Sequence, residues 1–174
     1  MKSIFPLFLA IIFYSCGSVK YFIVRHAEKE TPAPGSTMTT TGDPFLSPAG
    51  KVRAIELREE LKDDDIRFIF STNTIRTIST AQPLNNLRGA THIELYNSSK
   101  DSLEYFIQKL KAIRKGNSLI VGHSNTVDDI VNKLCGSVEV TSDLKDSEYD
   151  NLFIVTRKGK NYLFSKKTYG TPTE

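Results

Sequence analysis

The chain has 174 residues and a mass of 19.5 kDa, enough to bury one full hydrophobic core and too little for two substantial lobes. Hydrophobic residues make up 39% and charged residues 25%, which excludes disordered, collagen-like and multi-span membrane classes. The formal charge of +3 is spread among acids and bases without a basic stripe interleaved with aromatics, so nucleic acid is not an expected partner. Cys16 and Cys135 are far apart and in no CxxC spacing, so neither a disulfide framework nor a thiolate metal site is signalled.

In chain order, the first segment reads as an address. Lys2 precedes the apolar run Ile4 to Tyr14, and Ser15-Cys16-Gly17 follows. Eleven residues are too few for a bilayer core that takes about 20 helical residues, so residues 1–15 are read as a cleaved export signal. A small residue followed by Cys and Gly resembles a bacterial lipoprotein cleavage site, which makes Cys16 the expected lipidation site. The mature chain is then exported and anchored to the membrane. Secretion without lipid and a buried N-terminal strand are the alternatives. Thr31 to Gly42, rich in Thr, Pro and Gly, reads as a surface loop.

From Tyr21 the pattern alternates. Tyr21 to Val24 is a short apolar strand of the kind buried on both sheet faces, ending at Arg25-His26. Ser47-Pro48 offers an N-cap with proline in the first turn. Val52, Ala54, Leu57 and Leu61 continue as a helical face to Lys62. Phe68 to Phe70 is a second strand ending at Ser71-Thr72, followed by a helix with Ile75 and Ile78 that is expected to stop at Pro83. Ile93 to Tyr96 is a third strand. Asp101 to Glu104 reads as a capping box opening a helix with Leu103, Phe106, Ile107 and Leu110 inward. Ser118 to Val121 is a fourth strand, and Ser124 to Leu134 a helix stopped by Gly136. Asn151 to Thr156 and Asn161 to Tyr169 form a hairpin. These units predict a single domain over residues 21–170. Its expected fold is an α/β three-layer sandwich, with helices on both faces of a mainly parallel sheet that carries an antiparallel edge strand.

Chemistry gathers at the strand ends. Arg25 and His26, Ser71 with Arg76, and His123 all follow predicted strands, and ligands of open α/β sheets bind beyond the strands' carboxyl ends. Guanidinium forks and helix N-termini suit a dianionic phosphoryl group. Two imidazoles add the means for covalent transfer: one kept neutral among cations attacks phosphorus in line, and the other donates to the equatorial oxygens.

Arg25-His26-Ala27-Glu28 after an apolar strand resembles the Arg-His-Gly signature of the histidine phosphatase superfamily, whose fold is phosphoglycerate-mutase-like. Leu46-Ser47-Pro48-Ala49-Gly50 is similar to that family's first helix opening. Ser71-Thr72 with Arg76-Thr77 and Thr80-Ala81, and Gly122-His123-Ser124, are similar to its second and third pocket motifs. The resemblance spans about Tyr21 to Tyr169. It implies that His26 is the phosphorylated nucleophile, that Arg25 and Arg76 clamp the phosphoryl oxygens, and that His123 completes the pocket. No cofactor or metal is implied.

The general acid stays open. Asn97 stands in the region where family members place a carboxylate. Glu28 is preferred over Glu94, Asp101, Glu104, Asp128 and Asp129, the last four reading as helix-start residues, although Glu28 has the simpler alternative of pairing with Arg25 or Lys29.

Other residues take ordinary roles. His92 is read as a plain surface or core histidine, Arg53, Arg58 and Arg67 as solvated, and Cys135 as a small buried apolar residue. Lys158, Lys160, Lys166 and Lys167 are read as a solvated hairpin that also suits an anionic bilayer beside a lipid anchor.

The expected partner is a small phosphorylated substrate, a phosphomonoester or phosphoramidate. The alternatives are a non-enzymatic phosphate-recognising module, a mutase, for which so short a chain leaves little room for a lid, and a metallohydrolase using His26, His123 and His92.

Overall fold

The computed structural model describes residues 17–31, 42–89 and 92–173. Residues 1–15, read above as an export signal, Cys16 and most of the Thr/Pro/Gly-rich loop lie outside the described residues. The elements run β1 (Val19–Arg25), α1 (Pro48–Leu61), β2 (Ile66–Thr72), α2 (Ile75–Leu87), β3 (Ile93–Tyr96), α3 (Lys100–Ala112), β4 (Asn117–Gly122), α4 (Val127–Cys135), β5 (Asn151–Lys158) and β6 (Asn161–Thr168).

The six strands form one sheet in the order β3-β2-β4-β1-β5-β6. The first four are mutually parallel, β5 runs antiparallel to β1, and β6 turns back antiparallel to β5. The antiparallel strand thus sits one place in from the edge, as half of the hairpin. Alternation along the strands splits the core in two. Tyr21, Ile23, Phe70, Ile120 and Phe153 pack on α3 and α4 through Leu103, Phe106, Leu110, Ile130 and Val131. Phe22, Val24, Leu119, Val121 and Leu152 pack on α1 and α2 through Leu57, Leu61, Ala81 and Leu84.

Ser47 caps α1 by accepting the N–H of Gly50 at 3.1 Å. The face of α1 turned to the sheet is Gly50, Arg53, Ala54, Leu57 and Leu61, not one that includes Val52, which is 53% exposed. Arg53 is therefore 3% exposed and buried, contrary to the solvated reading.

Helix α2 does not stop at Pro83 but continues to Leu87. The lost N–H costs one helical bond, while Leu84 and Asn85 beyond it are buried against the domain. The N-cap of α3 is Ser99 rather than Asp101, which places Asp101 in the first turn. Helix α4 begins at Val127 because Thr126 closes a turn first: its Oγ1 accepts the N–H of His123 at 2.9 Å, and its N–H donates to the His123 carbonyl at 3.1 Å. Gly136, at φ 75°, ends the helix in the left-handed region.

The chain's last residues lie back across α1. Tyr169 donates its N–H to the Asp150 carbonyl at 3.0 Å, Thr173 Oγ1 donates to Asp150 at 2.7 Å, and Thr171 Oγ1 donates to Glu56 at 3.2 Å.

Candidate active site

The carboxyl ends of β1, β2 and β4 lie side by side, since β4 pairs with both neighbours. They deliver Arg25 and His26, Thr72, and His123 to one edge of the sheet, and α2 adds Arg76 from its first turn. A pocket of about 670 Å³ opens there, lined by Arg25, His26, Arg76, His123, Ser98 and Ser124 among others. Lys29 and Asp146 stand on its rim. A second hollow of about 450 Å³ shares Ser98 and His123 with it and runs past Thr74, Tyr96 and Asn97.

His26 is 4% exposed. Its Nδ1 lies 2.8 Å from the Ala27 carbonyl, which only accepts, so Nδ1 carries the proton and Nε2 holds the lone pair. Burial pushes the imidazole down to about 3, with Arg25, Arg76 and His123 adding to the fall and the Ala27 hydrogen bond opposing it. His26 is neutral at physiological pH, which leaves an uncharged imidazole among cations.

The His123 ring meets His26 edge to face at 5.5 Å. Burial lowers it to about 4, helped by Arg76 and Arg25 and opposed by Asp43. Arg76 Nη2 points to its Nδ1 at 3.4 Å, and Thr72 Oγ1 lies 2.9 Å from its Nε2. Thr72 donates onward to Thr77 at 3.1 Å, so His123 Nε2 carries the proton that Thr72 accepts. Gly122 makes this turn possible, because a Cβ there would lie 2.8 Å from Tyr96 Oη and 2.9 Å from Thr126 Oγ1.

The two expected phosphate ligands are held differently. Arg76 donates to Asp43 at 3.0 Å, and the other oxygen of Asp43 accepts the N–H of Ile75 at 2.7 Å, so this carboxylate fixes the head of α2 and the guanidinium together. Arg25 is 3% exposed. Its Nη1 donates to the carbonyls of Lys145 (2.8 Å), Asp146 (3.2 Å) and Glu148 (3.2 Å), and its plane stacks 4.1 Å from the Tyr149 ring. Its Nε is buried and has no partner among the described residues. Much of the Arg25 fork thus fastens segment 145–149 to the site, and a buried donor is left over.

Glu28 does not reach the pocket. Arg53 Nε donates to both its carboxylate oxygens at 2.8 and 2.9 Å, and the same guanidinium donates to the carbonyls of Tyr169 at 3.2 Å and Thr171 at 2.9 Å. The expected general acid is a structural partner of a buried arginine, not of Arg25 or Lys29. Glu94 pairs with Lys109. Asp101, Asp128 and Asp129 occupy the first turns of α3 and α4; burial raises Asp128. His92 is exposed ahead of β3, away from both other histidines' pocket. Cys135 is half-buried against the core, and its thiol is pushed up to about 11 by burial.

Asp43 and Tyr149 were not legible as site residues, and Thr72, part of the second pocket motif, had no role of its own assigned. Asp43 follows Gly42 and precedes Pro44, where an Asp is most simply a turn former.

The fold and this strand-end edge define the phosphoglycerate mutase-like histidine phosphatase architecture. The family model for the histidine phosphatase superfamily (branch 1) matches residues 21–98, a stretch that holds Arg25, His26 and Arg76 and stops short of His123. No curated protein matches the chain in sequence. Among solved structures, the chain is similar to the protein histidine phosphatase SixA complexed with tungstate, with a TM-score of 0.62 at 16% identity, covering 86% of this chain and 96% of that one. It is similar to a phosphoserine phosphatase mutant from Entamoeba histolytica in complex with phosphoserine (TM-score 0.58, 14% identity, 87% and 96% covered). It is also similar to phosphoglycerate mutase from Bacillus anthracis (TM-score 0.56, 14% identity, 87% and 93% covered). The solved structures share this chain's fold, and residues 21–98 are similar in sequence to branch 1 of the histidine phosphatase superfamily.

Proposed function

We propose that the protein is an exported phosphatase that hydrolyses a phosphomonoester or phosphoramidate through a phosphohistidine on His26. The observation that carries this is the neutral His26, its Nδ1–H held by the Ala27 carbonyl, in a pocket also lined by Arg25, Arg76 and His123. In the first step His26 Nε2 forms a bond to phosphorus as the bond to the leaving group breaks. In the second, water attacks phosphorus, the P–N bond breaks, and inorganic phosphate leaves with His26 restored. Arg76 and the unpartnered Nε of Arg25 neutralise the equatorial oxygens. His123 donates from the opposite side by turning its Nε2–H from Thr72 to a phosphoryl oxygen as Arg76 moves to the phosphoryl group.

With Glu28 committed to Arg53, the reading favours leaving groups that depart without a protein acid, such as aryl phosphates or nitrogen-linked phosphoryl groups. The hollow past Thr74, Leu95, Tyr96, Asn97 and Ser98 is lined by no Asp, Glu, Lys or Arg among the described residues and is more apolar than polar, which suits a largely apolar leaving group with a hydroxyl or amide to hydrogen-bond. Lipidation at Cys16 holds this enzyme at a membrane in the same reading.

The test is turnover of an aryl phosphate by the purified chain with and without EDTA, beside His26→Ala. Turnover that resists EDTA, is lost in the variant and leaves an acid-labile, base-stable phosphoryl adduct on His26 is expected. Vanadate binding without turnover would overturn the enzymatic reading in favour of a phosphate-recognising module, for which the engaged state of both arginines is the motivating observation.

A further inference from the structure

We propose that the end of the molecule opposite the pocket is a docking surface for anionic phospholipid bilayers. The inference rests on the membrane-anchored reading above and adds which face meets the membrane.

At the amino end of β1 a groove of about 500 Å³ is lined by Gly17, Lys111, Arg114, Arg157, Lys160 and Tyr162. No acid lines it among the described residues. Val19 of β1 pairs with Arg157 of β5, so the groove sits where the chain enters the sheet. The seven residues of β1, at ~3.3 Å each, put it ~20 Å from His26.

The frame under these cations is rigid. Arg157 is buried, and its Nη1 donates to the Lys111 carbonyl at 2.8 Å while Nη2 donates to that of Ile113; this ties the end of α3 to the β5–β6 hairpin. Lys111 donates to the Lys133 carbonyl at 2.9 Å and lies 5.6 Å over the Tyr162 ring. Arg114 and Lys160 are exposed, and exposed Lys115 and Lys158 flank them in the chain. Of the run Asp63 to Asp65 ahead of β2, Asp64 pairs with Lys20 at 3.4 Å and Asp65 with Arg67 at 2.9 Å, and none of the three lines the groove.

Tether length makes the placement meaningful. From Cys16 only Gly17 and Ser18 precede β1, and at ~3.5 Å per residue they reach about 10 Å. A lipid on Cys16 therefore brings this edge, rather than any other, to within about one Debye length of the headgroups. The one end of the sheet that must face the bilayer is the end with the unpaired cations and a partly buried tyrosine, a combination suited to phosphate headgroups and the interfacial zone.

The experiment is vesicle co-sedimentation of the full chain as Cys16→Ser, which removes the acyl anchor, with vesicles of phosphatidylcholine alone or mixed with phosphatidylglycerol. Binding to the anionic vesicles only, and its loss in about 1 M salt, is expected. Each cation is worth about a fivefold factor in partitioning at such a surface, so adding Arg114→Glu and Lys160→Glu is expected to lower it about 25-fold or more. Aryl phosphate turnover, which also reports folding, stays unchanged. Equal binding to both vesicle types, or undiminished binding in the charge-reversed variant, would overturn the inference. Failure of the anchored reading shows separately, as an unmodified Cys16 thiol by mass spectrometry of the wild-type chain.

Discussion

Two arginine–carboxylate pairs brace the segments around the strand-end pocket, and they do opposite things. Arg53 is saturated: its guanidinium meets Glu28 and two backbone carbonyls in a nearly dry site. Arg76 is held on one side by Asp43, reaches His123 only at 3.4 Å, and faces the pocket. Both pairs have hydrogen bonds near 3 Å, so proximity does not tell them apart. The number of donors already committed does, since a guanidinium with spare donors at an open face binds ligand and a saturated one ties chain segments together.

The largest expected effect tests the open pair. Arg76→Ala should lower kcat/KM for an aryl phosphate on the order of 10³-fold while shifting stability by less than about 1 kcal/mol, read by steady-state kinetics and urea unfolding of the same preparation. Arg53→Ala should invert that pattern. It strands Glu28 and the carbonyls of Tyr169 and Thr171, costing about 3 kcal/mol in urea unfolding, with turnover per folded molecule much less affected. If the two variants give the same ratio of kinetic to stability loss, the distinction between the pairs is wrong.

Gly50→Ala probes the join between them. A Cβ there would sit 2.1 Å from the Glu28 carbonyl oxygen, so the loop after His26 must shift. A stability loss of about 2 kcal/mol together with a raised KM is expected, and a loss of stability with no kinetic change would show that the loop and the pocket are uncoupled.

The smallest effect is in pH. His26 and His123 are held at about 3 and 4 in the folded chain, below the ordinary value near 6.5. The unfolded chain therefore binds more protons in this window, and the stability tied to their neutral forms is fully present above about pH 6.5 and lost as pH falls toward 4 and then 3. The urea midpoint should drop between pH 7 and pH 4.5, less steeply in His26→Gln. The activity profile should show no acid limb from His26 protonation between pH 7 and 5, and a limb near 6.5 would refute a neutral buried nucleophile.

Much of this was open to reading in the sequence. Short apolar runs ending in Arg25-His26, Ser71-Thr72 and Gly122-His123 mark buried parallel strands with polar ends, because apolar burial and strand-end chemistry both leave local signatures. The Arg53–Glu28 pair left a fainter one. Arg53 falls three residues after Gly50 and four before Leu57, on the stripe that packs inward, yet its partners stand 25, 116 and 118 residues away. Only tertiary packing brings them together. The same holds for Pro83, where burial of Leu84 and Asn85 outweighs the missing helical bond, and for Asp43, whose turn-forming type concealed that it braces Arg76.

The long reach of Arg53 bears on the timing of maturation. The segment carrying His26 is made early, but the acceptors that complete its brace, the carbonyls of Tyr169 and Thr171, are made more than 140 residues later. A nascent chain emerging in order holds His26 next to an incompletely braced Glu28 until residues 169–171 are free. Under the export proposed above, late completion delays assembly of the surroundings of His26 until the chain has crossed the membrane.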